Sequence, residues 1–339
     1  MPRPRSFLPI LPLLFHTLYA GGSPTPEDTI RGVVQKSLPY IDKRGQSWKN
    51  SKGCHSCHRT TFTVWALNRA TEKGLEVDPG KLAQWNEKGR QWQAFARKKK
   101  AKEMNDSDGE KLLQGENSAV SQMLLGRPLG EDPGKAAWIA QYRKSLLSAQ
   151  EKNGSWKAKG QLPKQKRPLR ETTEANTFWA VLALADYEDG NPATETSIKK
   201  ALDWAGKSPG GISTEWWSTK LLVERQLGKK AKADALRKTL LEKQNPDGGW
   251  GWLTEESSDA LGTGFALYAL GNDDVPISDP RIKKSIQFLA SNQTKDGSWI
   301  VNGTKEDDRD EPAETARYWG TCWAAIGMLA FVESGGSTL

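Results

Sequence analysis

Cysteine and histidine are scarce in this chain of 339 residues, which contains three of each. Because thiolates and imidazoles are the usual ligands of structural zinc, few zinc sites could be assembled from so small a set. Beyond the first residues, no apolar run is long enough and free enough of charge to span a bilayer. The sequence also lacks any pattern typical of a zinc finger, an RRM or a helix-turn-helix, so no nucleic-acid partner is predicted.

The first residues are typical of a secretory signal peptide. Basic Arg3 and Arg5 precede an apolar stretch at residues 7–15, and small residues follow near position 20. We therefore predict that residues 1–20 are a signal peptide and that the protein is exported to the periplasm or the extracellular space.

Positive charge is concentrated in two segments, residues 97–102 and 157–170. The formal net charge is +8, and loss of Arg3 and Arg5 with the signal peptide would leave +6. Such clusters attract acidic partners by long-range electrostatics, which predicts an acidic redox partner or an anionic lipid surface. The alternative is that they are solvated loops that keep a tryptophan-rich protein soluble.

Tryptophan, by contrast, is abundant, with 15 residues, and three of them end copies of one motif. The copies are QEKNGSW at residues 150–156, QNPDGGW at 244–250 and QTKDGSW at 293–299. In each copy Gln falls in the last turn of a helix, Asn or Asp with Gly stops that helix, and Trp folds back as an apolar anchor. The spacing predicts a repeating unit of roughly 50 residues and six units in the chain.

Each unit is predicted to contain two helices, an outer amphipathic one and an inner one that is apolar nearly all round. The stretch FWAVLALA at residues 178–185 has almost no polar face, which favours burial at the centre of a ring. We therefore predict an all-α fold of six helix pairs, with residues 25–335 as a single domain. The predicted inner helices begin near residues 59, 116, 174, 215, 259 and 314.

The repeat of Gln, Gly and Trp at the turns between outer and inner helices resembles the alpha/alpha toroid of the squalene-hopene cyclase and protein prenyltransferase superfamily. The resemblance implies an apolar pocket that binds an isoprenoid or another apolar small molecule. The chain departs from the family at its active-site motifs. The nearest match to the D-x-D-D motif of the cyclases is DDRDE at residues 307–311, and the zinc ligands of the prenyltransferases and the G-C-G-E-Q thioester of related toroids are missing.

Acidic residues recur where the inner helices are predicted to begin. If these helices run in the same direction, their N-termini meet at one end of the ring, and this end is the predicted mouth of the site. Glu174, Asp259 and Glu314 are the candidate catalytic residues. The alternative is that they cap helices and complement the helix dipole without any role in catalysis. Glu116 and Glu215 occupy the equivalent positions in two further units.

A C-x-x-C-H motif, formed by Cys54, Cys57 and His58, lies just before the first inner helix. Two thiols at this spacing can add to the vinyl groups of one haem, and the adjacent imidazole can then ligate the iron. The motif resembles that of c-type cytochromes, which implies a covalent haem c held by these three residues. Zinc bound by the same residues and a fourth ligand is one alternative, and a disulfide or a thiol pair without a cofactor is another.

Met123, on the second inner helix, is a candidate sixth ligand of the iron, together with Met104 and Met328; an open sixth position is equally compatible with the motif. The leading prediction is thus an exported toroid with a haem at the rim, used for electron transfer or redox chemistry beside an apolar pocket. The alternatives are a cofactor-free toroid that cyclises or binds an isoprenoid lipid, and a scaffold that binds another protein.

Overall fold

The computed structural model describes residues 24–52, 57–96, 103–187, 190–206, 210–308 and 310–334. Within these ranges the chain forms thirteen α-helices, three short 3-10 helices and four isolated β-bridges, and it forms no strand. None of the described helices is both long and apolar enough to cross a membrane. The predicted signal peptide, residues 1–20, lies outside the described residues and stays a prediction.

The helices form two concentric layers, as the sequence predicts. The inner layer consists of α2 (Cys57–Glu72), α5 (Asn117–Leu125), α7 (Leu169–Ala185), α9 (Thr214–Gln226), α11 (Ala260–Asn272) and α13 (Glu314–Leu329). The outer layer consists of α1 (Pro26–Lys52), α3 (Pro79–Gly89), α4 (Asp106–Gly115), α6 (Ala137–Ala149), α8 (Pro192–Ala205), α10 (Lys230–Glu242) and α12 (Pro280–Asn292). Each inner helix packs against the next, and α13 packs against α2, so the ring is closed. The prediction of an alpha/alpha toroid of six helix pairs is confirmed.

Three of the outer helices begin with the same local signal. Asp78, Asn191 and Asp279 each accept a hydrogen bond from a backbone amide of the first turn, and each is followed by proline. Proline suits the first helical position because its missing N–H would have no partner there. The outer helix of the second unit is interrupted, however. Its first part, α3, ends at Gly89, and its second part, α4, starts at Asp106.

The repeated motif joins each unit to the next. Gln150, Gln244 and Gln293 each donate two hydrogen bonds through Nε2, one to the glycine carbonyl of their own motif and one to a backbone carbonyl of the next outer helix. The last of these acceptors is the carbonyl of Val33 in α1, at 2.9 Å. The sixth unit is therefore fastened to the first by the same interaction that joins units within the chain.

The glycine of the motif is required for two reasons. Gly154, Gly248 and Gly297 have φ values of +96°, +95° and +85°, in the left-handed region. A Cβ at any of them would also collide with the backbone of the next outer helix; at Gly297 the clash is with Lys36 of α1. The motif tryptophans are buried, and each indole donates a 2.8 Å hydrogen bond to a carbonyl of the preceding outer helix.

The contribution of the backbone contact at Gly297 to stability can be measured by comparison with Gly160, a glycine that lacks such a contact. Gly160 also has a positive φ, +63°, but nothing lies within 4 Å of where its Cβ would be. Gly160→Ala should cost only the strain of a left-handed alanine, about 1–2 kcal/mol. Gly297→Ala should cost at least about 1 kcal/mol more, because the first and last units must also separate. Equal losses in chemical denaturation would contradict the proposed closure of the ring.

Candidate functional site

The axis of the ring is filled by aromatic side chains. The indole rings of Trp179 on α7 and Trp323 on α13, which occupy opposite positions in the ring, have centroids 5.4 Å apart. Trp65 on α2 lies 6.0 Å from Trp179 and 5.4 Å from Trp323. We call this set the aromatic column; its further members are Phe62, Phe265, Tyr268 and Trp319. The column occupies the space in which the sequence predicted an apolar pocket.

A segment at residues 157–168, which we call the strap, crosses the amino-terminal end of the inner helices. Its Lys166 amide donates to the carbonyl of Thr304 at 2.9 Å, and the Lys166 ammonium lies 2.9 Å from a carboxylate oxygen of Glu256. Arg167 donates to the hydroxyl of Ser213 at 2.8 Å. These contacts reach the loops before α13, α11 and α9, so the strap extends over the end that was predicted to be the open mouth.

Arg167 of the strap forms a buried ion pair with Glu215 of α9. Arg167 Nη2 lies 2.8 Å from Glu215 Oε2, and the side chains are only 2% and 8% exposed. The other carboxylate oxygen, Oε1, accepts a 2.9 Å hydrogen bond from the indole of Trp179. Glu215 therefore links the strap to the aromatic column, and the guanidinium of Arg167 also lies 5.3 Å from the ring centroid of Trp252.

Glu174 joins two inner helices. Its side chain is 1% exposed and accepts hydrogen bonds from Arg170 Nε at 2.5 Å and from the indole of Trp216 at 2.8 Å. The sequence predicted that Glu174 opens this helix. Because α7 begins at Leu169, Glu174 instead lies more than one turn inside it. The structure thus places Glu174 between α7 and α9, where it holds the helices together.

Asp259 is the cap of α11. One oxygen of its carboxylate accepts from the amides of Leu261 and Gly262 at 2.7 and 2.8 Å, and the other accepts from the amide of Trp252 at 2.8 Å. Burial raises the pKa of the Asp259 carboxyl to about 6, although the three amides act in the opposite direction. The nearby Glu256 carboxylate adds a smaller upward contribution to this pKa. Asp259 remains partly accessible to solvent.

Glu314 opens α13 as predicted and is the most exposed of the three candidate catalytic residues. Its side chain is 45% exposed, and one oxygen lies 2.5 Å from Nη2 of Arg59. Arg59 is buried, and its guanidinium stacks 4.0 Å from the ring centroid of Tyr318.

The candidate haem ligands are mostly outside the part of the chain that can be described. Cys54 lies outside the described residues, and so do the side chains of Cys57 and His58. Haem attachment at this motif therefore stays a prediction. Met123 is buried in the core, where its terminal carbon would lie 2.5 Å from a Cβ added at Gly89. This packing gives Met123 a structural role as a filler between α5 and α3.

Comparison with known proteins supports the fold and corrects the family. No protein-family model matches the chain, and no curated protein matches it. Among solved structures, the chain is similar to a glycosyl hydrolase family 88 protein from Bacteroides vulgatus, with a TM-score of 0.59 and 11% identity. That match covers 91% of this chain and 99% of the other. A possible member of the GH105 family from Klebsiella pneumoniae matches with a TM-score of 0.44 and 10% identity, over 96% of this chain and 99% of that one.

The resemblance to squalene-hopene cyclases and protein prenyltransferases is therefore corrected, because the toroid that this chain matches is that of a glycosyl hydrolase family 88 protein. The predicted function, a haem-carrying cyclase-like protein for electron transfer, is wrong on the same finding. Binding of an isoprenoid or another apolar small molecule stays a prediction; the aromatic column lies on the ring axis, where the apolar pocket was expected.

The buried ion pair between Arg167 and Glu215 gives a testable prediction. Arg167→Met should lower the free energy of unfolding by about 3–5 kcal/mol, because it leaves the buried carboxylate of Glu215 without its cation. As a control, Lys199→Met removes an exposed ion pair with Asp203 and should change stability by less than about 1 kcal/mol. Both variants can be compared by chemical denaturation. An Arg167→Met protein as stable as the control would show that the pair contributes nothing to the fold.

Proposed function

We propose that the protein is a glycoside hydrolase that cleaves a saccharide at the amino-terminal end of its inner helices. What supports the proposal is the toroid shared with a glycosyl hydrolase of family 88, together with the carboxyl groups of Asp259 and Glu314 at the amino-terminal end of neighbouring inner helices. Burial raises the pKa of the Asp259 carboxyl to about 6, and a carboxyl with a raised pKa is suited to donate a proton to a leaving group.

Glycoside hydrolysis commonly uses two carboxyl groups with different protonation states. In the proposed arrangement Asp259 is the general acid and protonates the glycosidic oxygen. Glu314, which is exposed and paired with the guanidinium of Arg59, is the second carboxyl group and acts from the opposite face of the sugar. The two residues lie at the same end of neighbouring inner helices, α11 and α13. Glu174, which bonds to Arg170 and Trp216 between α7 and α9, is given no role in the proposed reaction.

A screen of 4-nitrophenyl glycosides and oligosaccharides tests the activity. We expect hydrolysis of at least one saccharide. No hydrolysis of any saccharide in the screen would contradict the proposed function as a whole.

Asp259→Asn should lower kcat by about 10²- to 10⁴-fold, because an amide cannot donate the proton. The cap to Leu261 and Gly262 should be retained, since asparagine caps helices about as well as aspartate, while the bond from the Trp252 amide is lost because the asparagine NH2 cannot accept it. Glu255→Gln is the matched control, because Glu255 is an exposed residue in the same loop. A loss of activity no larger than the loss of folded protein in Asp259→Asn would indicate that Asp259 is only a cap.

The raised pKa of Asp259 also predicts a pH dependence of stability. The folded protein binds this proton more tightly than the unfolded chain, because the folded pKa, about 6, exceeds the ordinary value of 3.8. The contribution of Asp259 is therefore fully present below about pH 4 and is lost as the pH rises through 6. The difference in free energy of unfolding between the wild type and Asp259→Asn should change in that interval. A difference that is constant from pH 4 to 7 would contradict the raised pKa.

A further inference from the structure

Two adjoining depressions lie at the carboxyl-terminal end of the inner helices, opposite the proposed active site. They share Arg225 and Gln226, and their volumes are about 590 and 140 Å³. The larger one is also bordered by the start of α10, and the smaller one by the last turns of α5, α7 and α11. Together they fall within the range of about 300–1,000 Å³ that is usual for small-molecule sites. We call them the carboxyl-end groove.

The charges of the larger depression are balanced within it. Asp273, whose side chain is 1% exposed, lies 3.1 Å from Nη1 of Arg225 and 2.8 Å from Nη1 of Arg237. Each arginine uses its other terminal nitrogen on a second carboxylate, Asp274 for Arg225 and Asp234 for Arg237. With Lys230, the lining therefore contains three cations and three anions. A charged ligand would upset this balance, whereas a neutral polar ligand could hydrogen bond to groups that are already held in place.

The smaller depression adds an apolar surface, two side-chain amides and the carboxylate of Asp186, which is paired with Arg127. Its apolar lining is formed by Tyr268 and by three leucines, Leu125, Leu182 and Leu222. The ring of Tyr268 is fixed by the aromatic column, 5.5 Å from the ring of Trp65. Gln226 and Asn272 donate their side-chain amides to the carbonyls of Ala185 and Tyr268, at 3.1 and 2.7 Å. Among the described residues, no donor bonds to either side-chain amide oxygen, so both are available to a ligand.

We propose that the carboxyl-end groove binds a neutral, polyhydroxylated ligand, a short saccharide, without cleaving it. Such a ligand has a face of C–H groups that can pack on the ring of Tyr268 and hydroxyls that can donate to the amide oxygens of Gln226 and Asn272. It carries no charge to disturb the paired arginines and aspartates. The groove lies at the end of the ring opposite Asp259, so this binding does not depend on the proposed hydrolysis.

Calorimetric titration with cellobiose, maltose, xylobiose and chitobiose tests the proposal, using the Asp259→Asn protein so that the saccharides are not consumed. We expect at least one disaccharide to bind with a Kd below about 10 mM, the weak end of specific binding. Gln226→Ala/Asn272→Ala in the same background should weaken that binding at least about tenfold, as expected for the loss of two hydrogen bonds. A disaccharide acid, cellobiouronic acid, should bind less tightly than cellobiose.

The matched control is Gln35→Ala/Asn292→Ala. Gln35 and Asn292 make the same kinds of side-chain contact to backbone carbonyls, at 2.9 and 2.8 Å, but lie on outer helices. This control should leave the binding unchanged. The proposal is overturned if no disaccharide binds, if the groove variant binds as tightly as the control, or if the acid binds more tightly than cellobiose. Hydrolysis by the wild type is judged separately, so a failure here does not bear on the activity of Asp259.

Discussion

The closed ring depends on one repeated interaction, in which the glutamine of the motif bonds to its own turn and to the next outer helix. The bond from Gln293 to the carbonyl of Val33 completes the circle. Glycine lets the turn approach the neighbouring backbone, and the tryptophan fixes the preceding helix. Because the last unit is held to the first in this way, the inner helices have no free edge. Their apolar faces are therefore forced inward onto one axis.

The aromatic side chains on the ring axis determine where a ligand can bind. Trp65, Trp179 and Trp323 pack together on the axis, so the proposed sites lie at the two ends of the ring. The amino-terminal end contains the carboxyl groups and the strap, and the carboxyl-terminal end contains the groove. The buried pair of Arg167 and Glu215 connects the first end to the column through the indole of Trp179. We therefore propose cleavage at the amino-terminal end of the inner helices and binding without cleavage at their carboxyl-terminal end.

The repeat made the fold predictable, because the helix pairs and the anchoring tryptophans follow from the spacing of Gln, Gly and Trp. The individual site residues were less predictable. Arg167 is one of several basic residues in its segment, and its burial depends on how the strap folds over the ring. Glu174 and Asp259 were both expected to open a helix, yet only Asp259 caps one. Pro168 was the available signal, since proline marks a helix start and places Glu174 inside α7.

The resemblance to cyclases failed because the repeat motif encodes helix packing and not the contents of the ring. The most direct test of the account is a crystal structure of the Asp259→Asn variant with a saccharide that the wild type cleaves. The account predicts a saccharide at the amino-terminal end, with its glycosidic oxygen within hydrogen-bond distance of the side chain at position 259 and with Glu314 on the opposite face of the sugar. A saccharide found only in the carboxyl-end groove would contradict the proposed site of cleavage.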